Sequence, residues 1–269
     1  MHKRKPKLGQ NFLIDDEARH RIADALGDVS ARTVIEIGPG HGAITEILAA
    51  RARRLICIEL DPSLAQELRF RFRDHSNVEI AEGDVLKAEF AWQLRGETGK
   101  ASVVGNLPYY ITSDILLALF AAGHLFDRAV LMMQREVADR VSAAPGVREY
   151  GLLTATTQMY AQVANLFTLP PSAFSPPPEV YSSVVRLEFA PRFAELGVDA
   201  KGFDTFLKQS FGQKRKTLAN NLRSAGFARE AMESNWPAAV PREARAEALS
   251  LEQMAAVYRA LRQPPNESL

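Results

Sequence analysis

The chain of 269 residues holds one cysteine, Cys57, so no intramolecular disulfide can staple it, which suits a reducing cytoplasmic setting. Cys57 sits inside the apolar run Leu55–Leu60 and reads as a small buried strand residue rather than a nucleophile. No apolar run approaches the ~18–20 residues that span a bilayer, and Met1–Lys7 precedes no apolar signal core. A cytoplasmic protein with no membrane partner is therefore expected. The five histidines are scattered without ligand spacing, so no metal site is expected. A one-signed charge is lacking too: 33 Lys and Arg against 32 Asp and Glu give a net charge of +1, which excludes a generic polyanion binder. Neither an internal repeat nor a low-complexity tract is present beyond a cluster of prolines. What basic charge there is lies in two clusters, Lys3-Arg4-Lys5 with Lys7, and Lys214-Arg215-Lys216. Alone, such clusters are usually solvated surface.

The first half alternates short apolar segments with amphipathic ones. Strands are expected at 33–37, 55–60, 78–81, 101–105 and 129–133, and helices at 42–51, 62–73 and 113–122. That alternation implies an α/β fold with a mostly parallel sheet covered on both faces. Tyr160–Leu169 and Val180–Phe189 read as two further strands flanking the rigid stretch Pro170–Pro178. After Pro191 the pattern turns helical, at 204–211, 216–225, 242–249 and 251–261, with 263–269 frayed. The expected organisation is a catalytic domain over 1–190 and a small helical domain over 191–269.

Glu36-Ile37-Gly38-Pro39-Gly40-His41-Gly42 follows the first expected strand and opens a helix, a turn where glycines let a ligand approach the backbone. Gly38, Gly40 and Ala43 also satisfy the relaxed dinucleotide fingerprint, so a nicotinamide dehydrogenase stays open on this run alone. Glu59 ends the second strand, where a carboxylate can grip a ribose diol, and Asp84 ends the third, where it can accept from an adenine amino group. Glu36 stands where a dinucleotide would bring its pyrophosphate, and like charges in a desolvated pocket are costly. A cationic ligand without phosphate, S-adenosylmethionine, relieves that conflict.

Asn106-Leu107-Pro108-Tyr109 follows the fourth strand directly. The exocyclic amine of adenine is a poor nucleophile because its lone pair is delocalised. The Asn106 amide oxygen and a backbone carbonyl such as that of Leu107 can accept both N6 hydrogens and free the lone pair, while Tyr109 offers a stacking face. Positioning and electrostatics then carry the rate.

These residues resemble the KsgA/RsmA family of ribosomal RNA adenine dimethyltransferases over nearly the whole chain. The resemblance implies a Rossmann-like S-adenosylmethionine-dependent methyltransferase sheet with a small C-terminal helical domain. Lys7-Leu8-Gly9-Gln10-Asn11-Phe12-Leu13 looks like the family's N-terminal motif, which implies that Asn11 and Leu13 fold over the cofactor. Gly38, Glu59, Asp84 and Asn106 match its other cofactor positions. Ala173–Val180 resembles its Phe-x-Pro-x-Pro-x-Val loop, with Phe174 implied as the second stacking partner of the target base. Phe211–Leu218 looks like the signature of bacterial members, which turns Lys214, Arg215 and Lys216 into expected RNA contacts. Tyr110-Ile111-Thr112 departs from the family's usual Asn-Ile-Ser or Asn-Ile-Thr and bears on pocket shape. The implied reaction is dimethylation of two adjacent adenosines near the 3′ end of 16S rRNA in an immature 30S particle, by a monomer with a part in ribosome biogenesis. The alternatives are a large-subunit methyltransferase of the macrolide-resistance type, a DNA adenine methyltransferase, and an assembly factor in which binding dominates. Phe211–Leu218 speaks against the first, the lack of a separate target-recognition domain against the second, and the complete set Glu36, Glu59, Asp84 and Asn106 against the third.

Overall fold

Strand–helix alternation builds, in the computed structural model, a seven-stranded sheet; residues 10–262 are described. The strands are β1 (Phe12–Leu13), β2 (Thr33–Ile37), β3 (Arg54–Glu59), β4 (Val78–Glu82), β5 (Ala101–Asn106), β6 (Phe126–Gln134), β7 (Ala161–Leu169), β8 (Phe174–Ser175) and β9 (Ser182–Phe189). The large sheet runs β4-β3-β2-β5-β6-β9-β7, and β1 pairs with β8 in a separate two-stranded ribbon. Pairs β2–β3, β3–β4, β2–β5 and β5–β6 are parallel, while β9 joins β6 antiparallel with Gln134 opposite Ser182. Every residue of β2 is buried, as a strand covered on both faces requires. The strands stop within a few residues of their expected bounds; β6 is the longest departure, beginning at Phe126.

Helices α1 (Asp16–Ala25), α2 (Thr45–Ala49), α3 (Pro62–Arg71), α4 (Phe90–Gln93) and α5 (Thr112–Ala121) belong to the sheet unit. α2 is shorter than expected because Gly38, Gly40 and Gly42 all hold positive φ and keep the chain in a turn until Ile44. α3 starts sharply: the Asp61 side chain accepts from Ser63 N at 2.8 Å, and Pro62 fills the first helical position, where no N–H is needed.

α6 (Arg135–Val141) follows, then α7 (Leu152–Tyr160), α8 (Phe193–Leu196), α9 (Ala200–Ser210), α10 (Leu218–Ser224), α11 (Arg229–Asn235) and α12 (Leu251–Arg262). The chain forms two compact units, one reaching to Ala138 with Gln162–Phe189, the other Asp139–Ala161 with the residues from Ala190. The sequence assigns 139–161 to the first domain; in the structure it belongs to the second. The reason is packing: Ala143, Tyr150, Ala155 and Met159 share one core with Phe203, Phe206, Leu207, Met254 and Tyr258. The expected helix over 242–249 shrinks to one 3-10 turn at Ala246–Ala248. Ser250 caps α12 instead, taking Gln253 N at 3.3 Å while Gln253 Oε1 accepts from Ser250 N at 3.0 Å, and Leu249 before it is extended. Residues 263–269 and the Lys3–Lys7 cluster lie outside the described residues.

Candidate active site

In the sheet order β2 has β3 on one side and β5 on the other, so the chain reverses direction across the sheet between them. An open α/β sheet leaves a crevice at the carboxyl ends of its strands at such a point. A cleft of about 1120 Å³, mouth included, opens there. The turn after β2 forms its floor: Gly38 and Gly40 hold φ of 65° and 59°. A Cβ on Gly40 would stand 2.9 Å from the Phe12 ring, so only glycine fits under the N-terminal segment. Gly105, which the sequence reading passed over, has a similar role on the other wall. A Cβ there would come 2.8 Å from the Ile37 carbonyl, and its lack lets β5 close on β2 directly beside Asn106.

Three carboxylates, from Glu36, Glu59 and Asp84, line the cleft, and among the described residues its lining holds no lysine or arginine. Glu59 is buried; its Oε2 accepts from Gly40 N at 3.0 Å and its Oε1 from Asp61 N at 2.9 Å. Each oxygen keeps a second lone pair, so the carboxylate is rigidly aimed and still able to accept a diol. Asp84 Oδ1 accepts from Leu86 N at 2.9 Å, fixing that side chain at the end of β4. Glu36 is buried with only neutral donors: Thr45 Oγ1 donates to its Oε2 at 2.7 Å, and the Cys57 thiol stands 3.6 Å from the same oxygen. Burial pushes the Glu36 carboxyl up to about 7, against the help of those two donors. The same burial, next to Glu36, raises the Cys57 thiol well above its ordinary value, so Cys57 stays a neutral core thiol. A buried acid without a cation, beside a second acid preset for hydroxyls, fits a ligand that brings positive charge and a ribose. It does not fit a pyrophosphate.

Asn106 ends β5 and leads into the turn that walls the far side. Its Nδ2 donates to the Asn11 carbonyl at 2.9 Å, so the amide oxygen is the end left for a ligand. Leu107 N donates to Met132 O at 2.9 Å and the Leu107 side chain is buried, which anchors the turn on β6. Among the described residues no donor meets the Leu107 carbonyl. The Pro108 carbonyl accepts from Thr112 Oγ1 at 3.0 Å and from Ile111 N at 3.2 Å, pinning the turn to the head of α5. The Tyr109 hydroxyl is 2.7 Å from Ser182 Oγ, which fixes the ring on the cleft wall. Burial raises the phenol above its usual range, so the hydroxyl remains protonated at neutral pH. The cleft thus presents an acidic half and, across from it, two oxygen acceptors beside an aromatic ring.

A family model described as ribosomal RNA adenine dimethylase matches residues 1–263. The chain belongs to that family. A protein of Koribacter versatilis named Ribosomal RNA small subunit methyltransferase A is 52% identical over 96% of this chain and 95% of its own length. One of the same name from Acidobacterium capsulatum is 56% identical over 96% of this chain and 92% of its own. Among solved structures, a dimethyladenosine transferase from Plasmodium falciparum is similar with a TM-score of 0.76 and 27% identity, covering 91% of this chain and 95% of that one. The 23S rRNA methyltransferase ErmE is similar with a TM-score of 0.71 and 25% identity, covering 94% and 100%. A ribosomal RNA adenine dimethylase with this Rossmann-like sheet is an S-adenosylmethionine-dependent methyltransferase, and the charge pattern of the cleft fits that cofactor.

Most of the residues that the sequence singles out in this adenine dimethylase meet in the cleft. Asn11, Leu13, Gly38, Gly40, Glu59, Asp84, Asn106, Leu107 and Tyr109 all line it. Phe174 does not. β8 pairs with β1, setting Leu13 opposite Phe174, and Ile14 N donates to Ala173 O at 2.9 Å. That ribbon turns the Phe174 ring into the core, where it is 2% exposed and packs in one cluster with Leu13, Met132 and Val184. The expected stacking partner thus sits buried beside the N-terminal strand rather than on the cleft wall. Tyr110, which departs from the family's usual residue, is 61% exposed and lines the cleft beside Tyr109. Lys214, Arg215 and Lys216 lie on the segment between α9 and α10, in the other unit. Of the family's N-terminal motif, Lys7, Leu8 and Gly9 lie outside the described residues. Sequence reasoning missed Phe12, whose ring packs against His41 at 4.4 Å between centroids and lines the cleft, and Ser182, which holds Tyr109. Among the described residues no three His, Cys, Asp or Glu side chains form a metal-binding group, and no helix is long and apolar enough to cross a membrane.

Proposed function

We propose that this enzyme dimethylates the N6 amines of two adjacent adenosines near the 3′ end of 16S rRNA, within an immature 30S particle, acting as a cytoplasmic monomer. The relatives' shared name, which specifies the small subunit, supports that target over the large-subunit alternative. The observation that carries the chemistry is the amide of Asn106, locked by the Asn11 carbonyl so that its oxygen is the acceptor.

Gly38, Gly40, Glu36, Glu59 and Asp84 would hold the cofactor, which supplies a methyl group on a cationic sulfur. Glu36 answers its positive charge, Glu59 its ribose and Asp84 its base. The protein's own work is on the acceptor. Asn106 Oδ1 and the Leu107 carbonyl take the two N6 hydrogens, drawing nitrogen toward tetrahedral geometry and exposing its lone pair. Tyr109 holds the base flat against one wall, and the buried turn keeps these acceptors from reorganising during the reaction. Asn106 and Leu107 act as acceptors only, so the proton released with each methyl leaves to solvent.

The test is to incubate the purified protein with labelled S-adenosylmethionine and immature small subunits, or large subunits, and to map the modified nucleotides. Label on two neighbouring adenosines of the small-subunit RNA is the expected result. Label confined to large-subunit RNA would transfer the assignment to the ErmE-like reaction, and label on neither would overturn it.

A further inference from the structure

Beyond the cleft, one exposed aromatic stands out by its neighbours. Tyr181 lies immediately before β9 at the same sheet edge that carries Asn106, and it is 47% exposed. The guanidinium of Arg135 stands 5.2 Å from the centre of its ring, and Arg135 N donates to the Tyr181 carbonyl at 3.0 Å. Arg135 is itself exposed and, among the described residues, pairs with no carboxylate. Most exposed arginines of the sheet unit, such as Arg51, Arg69 and Arg71, do pair with one. Both groups face solvent, and an exposed cation–π pair of this kind is worth only about 0.5–1 kcal/mol to the fold.

The place of this pair gives it a use. Strands β5, β6 and β9 are neighbours, with Asn106 opposite Met132 and Gln134 opposite Ser182. At about 4.8 Å between strands, Tyr181 is roughly 10–15 Å from Asn106 along the carboxyl edge. The connection is also direct, because Ser182, the residue after Tyr181, holds the Tyr109 hydroxyl at 2.7 Å. An adenine turned into the pocket against Tyr109 drags its neighbouring nucleotide across this edge. Single-stranded nucleic acid is held by aromatic faces for its bases and by cations for its phosphates.

We infer that Tyr181 and Arg135 form a second nucleotide subsite, which stacks the base flanking the target adenine and contacts its phosphate. Resting on the RNA-methylating reading above, it adds a stacking platform outside the reacting pocket, in place of the one expected at Phe174. Tyr181 and Arg135 are positioning residues and touch neither the methyl donor nor the N6 amine.

The experiment compares the intact wild-type protein with Tyr181→Ala, Tyr181→Phe and Arg135→Ala. Trp92→Ala is the control, since Trp92 is another exposed aromatic, 60% exposed and 3.9 Å under the Arg95 guanidinium. Two readouts are taken: anisotropy with a fluorescent single-stranded hexa-adenylate RNA, and kcat/KM for methyl transfer to immature small subunits. Tyr181→Ala is expected to weaken oligonucleotide binding and lower kcat/KM by about tenfold, while Tyr181→Phe, which keeps the ring, stays near wild type. Arg135→Ala should weaken binding and reduce the slope of log affinity against log salt by about one. Trp92→Ala should change neither readout, and affinity for S-adenosylmethionine should be constant throughout. Equal oligonucleotide binding by Tyr181→Ala and wild type, or an equal loss in Trp92→Ala, overturns the subsite. Because binding is read without methylation, a wild type that leaves the particles unmodified would instead count against the proposed function.

Discussion

In the proposed reading Glu36 ties the fold to the cofactor through a single side chain. Its carboxyl is buried and pushed up to about 7, so ionising it within the ligand-free protein is unfavourable. A group raised in this way stabilises the fold while it stays protonated. That contribution is complete below the unfolded value near 4.5 and drains away as pH climbs to about 7. The shift corresponds to about 3 kcal/mol at most. Glu36→Gln keeps the acceptor for Thr45 and cannot ionise. Measured by denaturant unfolding without cofactor, the stability of the variant relative to wild type should therefore rise by up to about 3 kcal/mol between pH 4.5 and 7.5. A pH-independent difference between the two proteins would show that Glu36 is already balanced. Binding of a cation reverses the preference: wild-type affinity for S-adenosylmethionine should grow with pH through 7 with proton release, and that growth should vanish in Glu36→Gln.

Asn106 makes a different kind of demand, because in the proposed reaction its amide serves geometry and chemistry together. Asn106→Ala removes the acceptor and also the bond to the Asn11 carbonyl. Methyl transfer should fall by at least about 100-fold, on the scale of losing one preorganised transition-state contact. Binding of immature small subunits, measured by co-sedimentation, should persist. Loss of both activities together would mean that the residue organises the whole surface rather than the reacting amine.

At the level of elements, the β1–β8 ribbon links the segment covering the cofactor half of the cleft to the proline-rich loop. Phe174 is its buried anchor. Phe174→Ala empties a packed core position and should cost about 3–5 kcal/mol of stability. Phe174→Leu refills most of that volume while removing the ring. If the ring acts through packing, Phe174→Leu restores kcat along with the unfolding midpoint. A variant with recovered stability but tenfold lower kcat would return Phe174 to the target base.

This ribbon also marks the limit of what the sequence discloses. The glycine turn, Glu59, Asp84 and Asn106 were readable because each is fixed by local rules: glycine where φ is positive, an acid at the end of a strand, a turn after β5. The burial of β3 and β6 follows from the apolar runs at Leu55–Ile58 and Ala129–Met133. The side toward which Phe174 points depends on a two-residue strand and its partner more than 150 residues away, and nothing in the residues Ala173–Val180 encodes that. The bond between Asn106 and Asn11 spans 95 residues and was equally invisible. Residues 139–161 were misassigned for the same reason, since only the tertiary core shows that Tyr150 and Met159 pack with Phe203 and Tyr258.

On the scale of the whole molecule, a net charge of +1 gives RNA little long-range attraction, so affinity must come from local concentrations of charge. The segment Phe211–Thr217 is built to present one. Buried Asn221 grips it from α10: Nδ2 donates to Ser210 O at 2.8 Å and Gln213 O at 3.2 Å, and Oδ1 accepts from Gln213 N at 3.1 Å. Lys214 and Arg215 are left exposed, and among the described residues no carboxylate pairs with them or with Lys216. With this part of the backbone held, ordering on RNA binding falls mainly on the lysine and arginine side chains. Replacing Lys214, Arg215 and Lys216 by alanine should therefore lower the slope of log affinity against log salt by about 2–3, with affinity for S-adenosylmethionine unchanged. The loss should be nearly uniform across RNA sequences, because phosphates rather than bases are being contacted. An unaltered slope would place these three cations away from the RNA, and the weight of binding would then have to be carried by the sheet unit, where Arg135 is exposed and, among the described residues, pairs with no carboxylate.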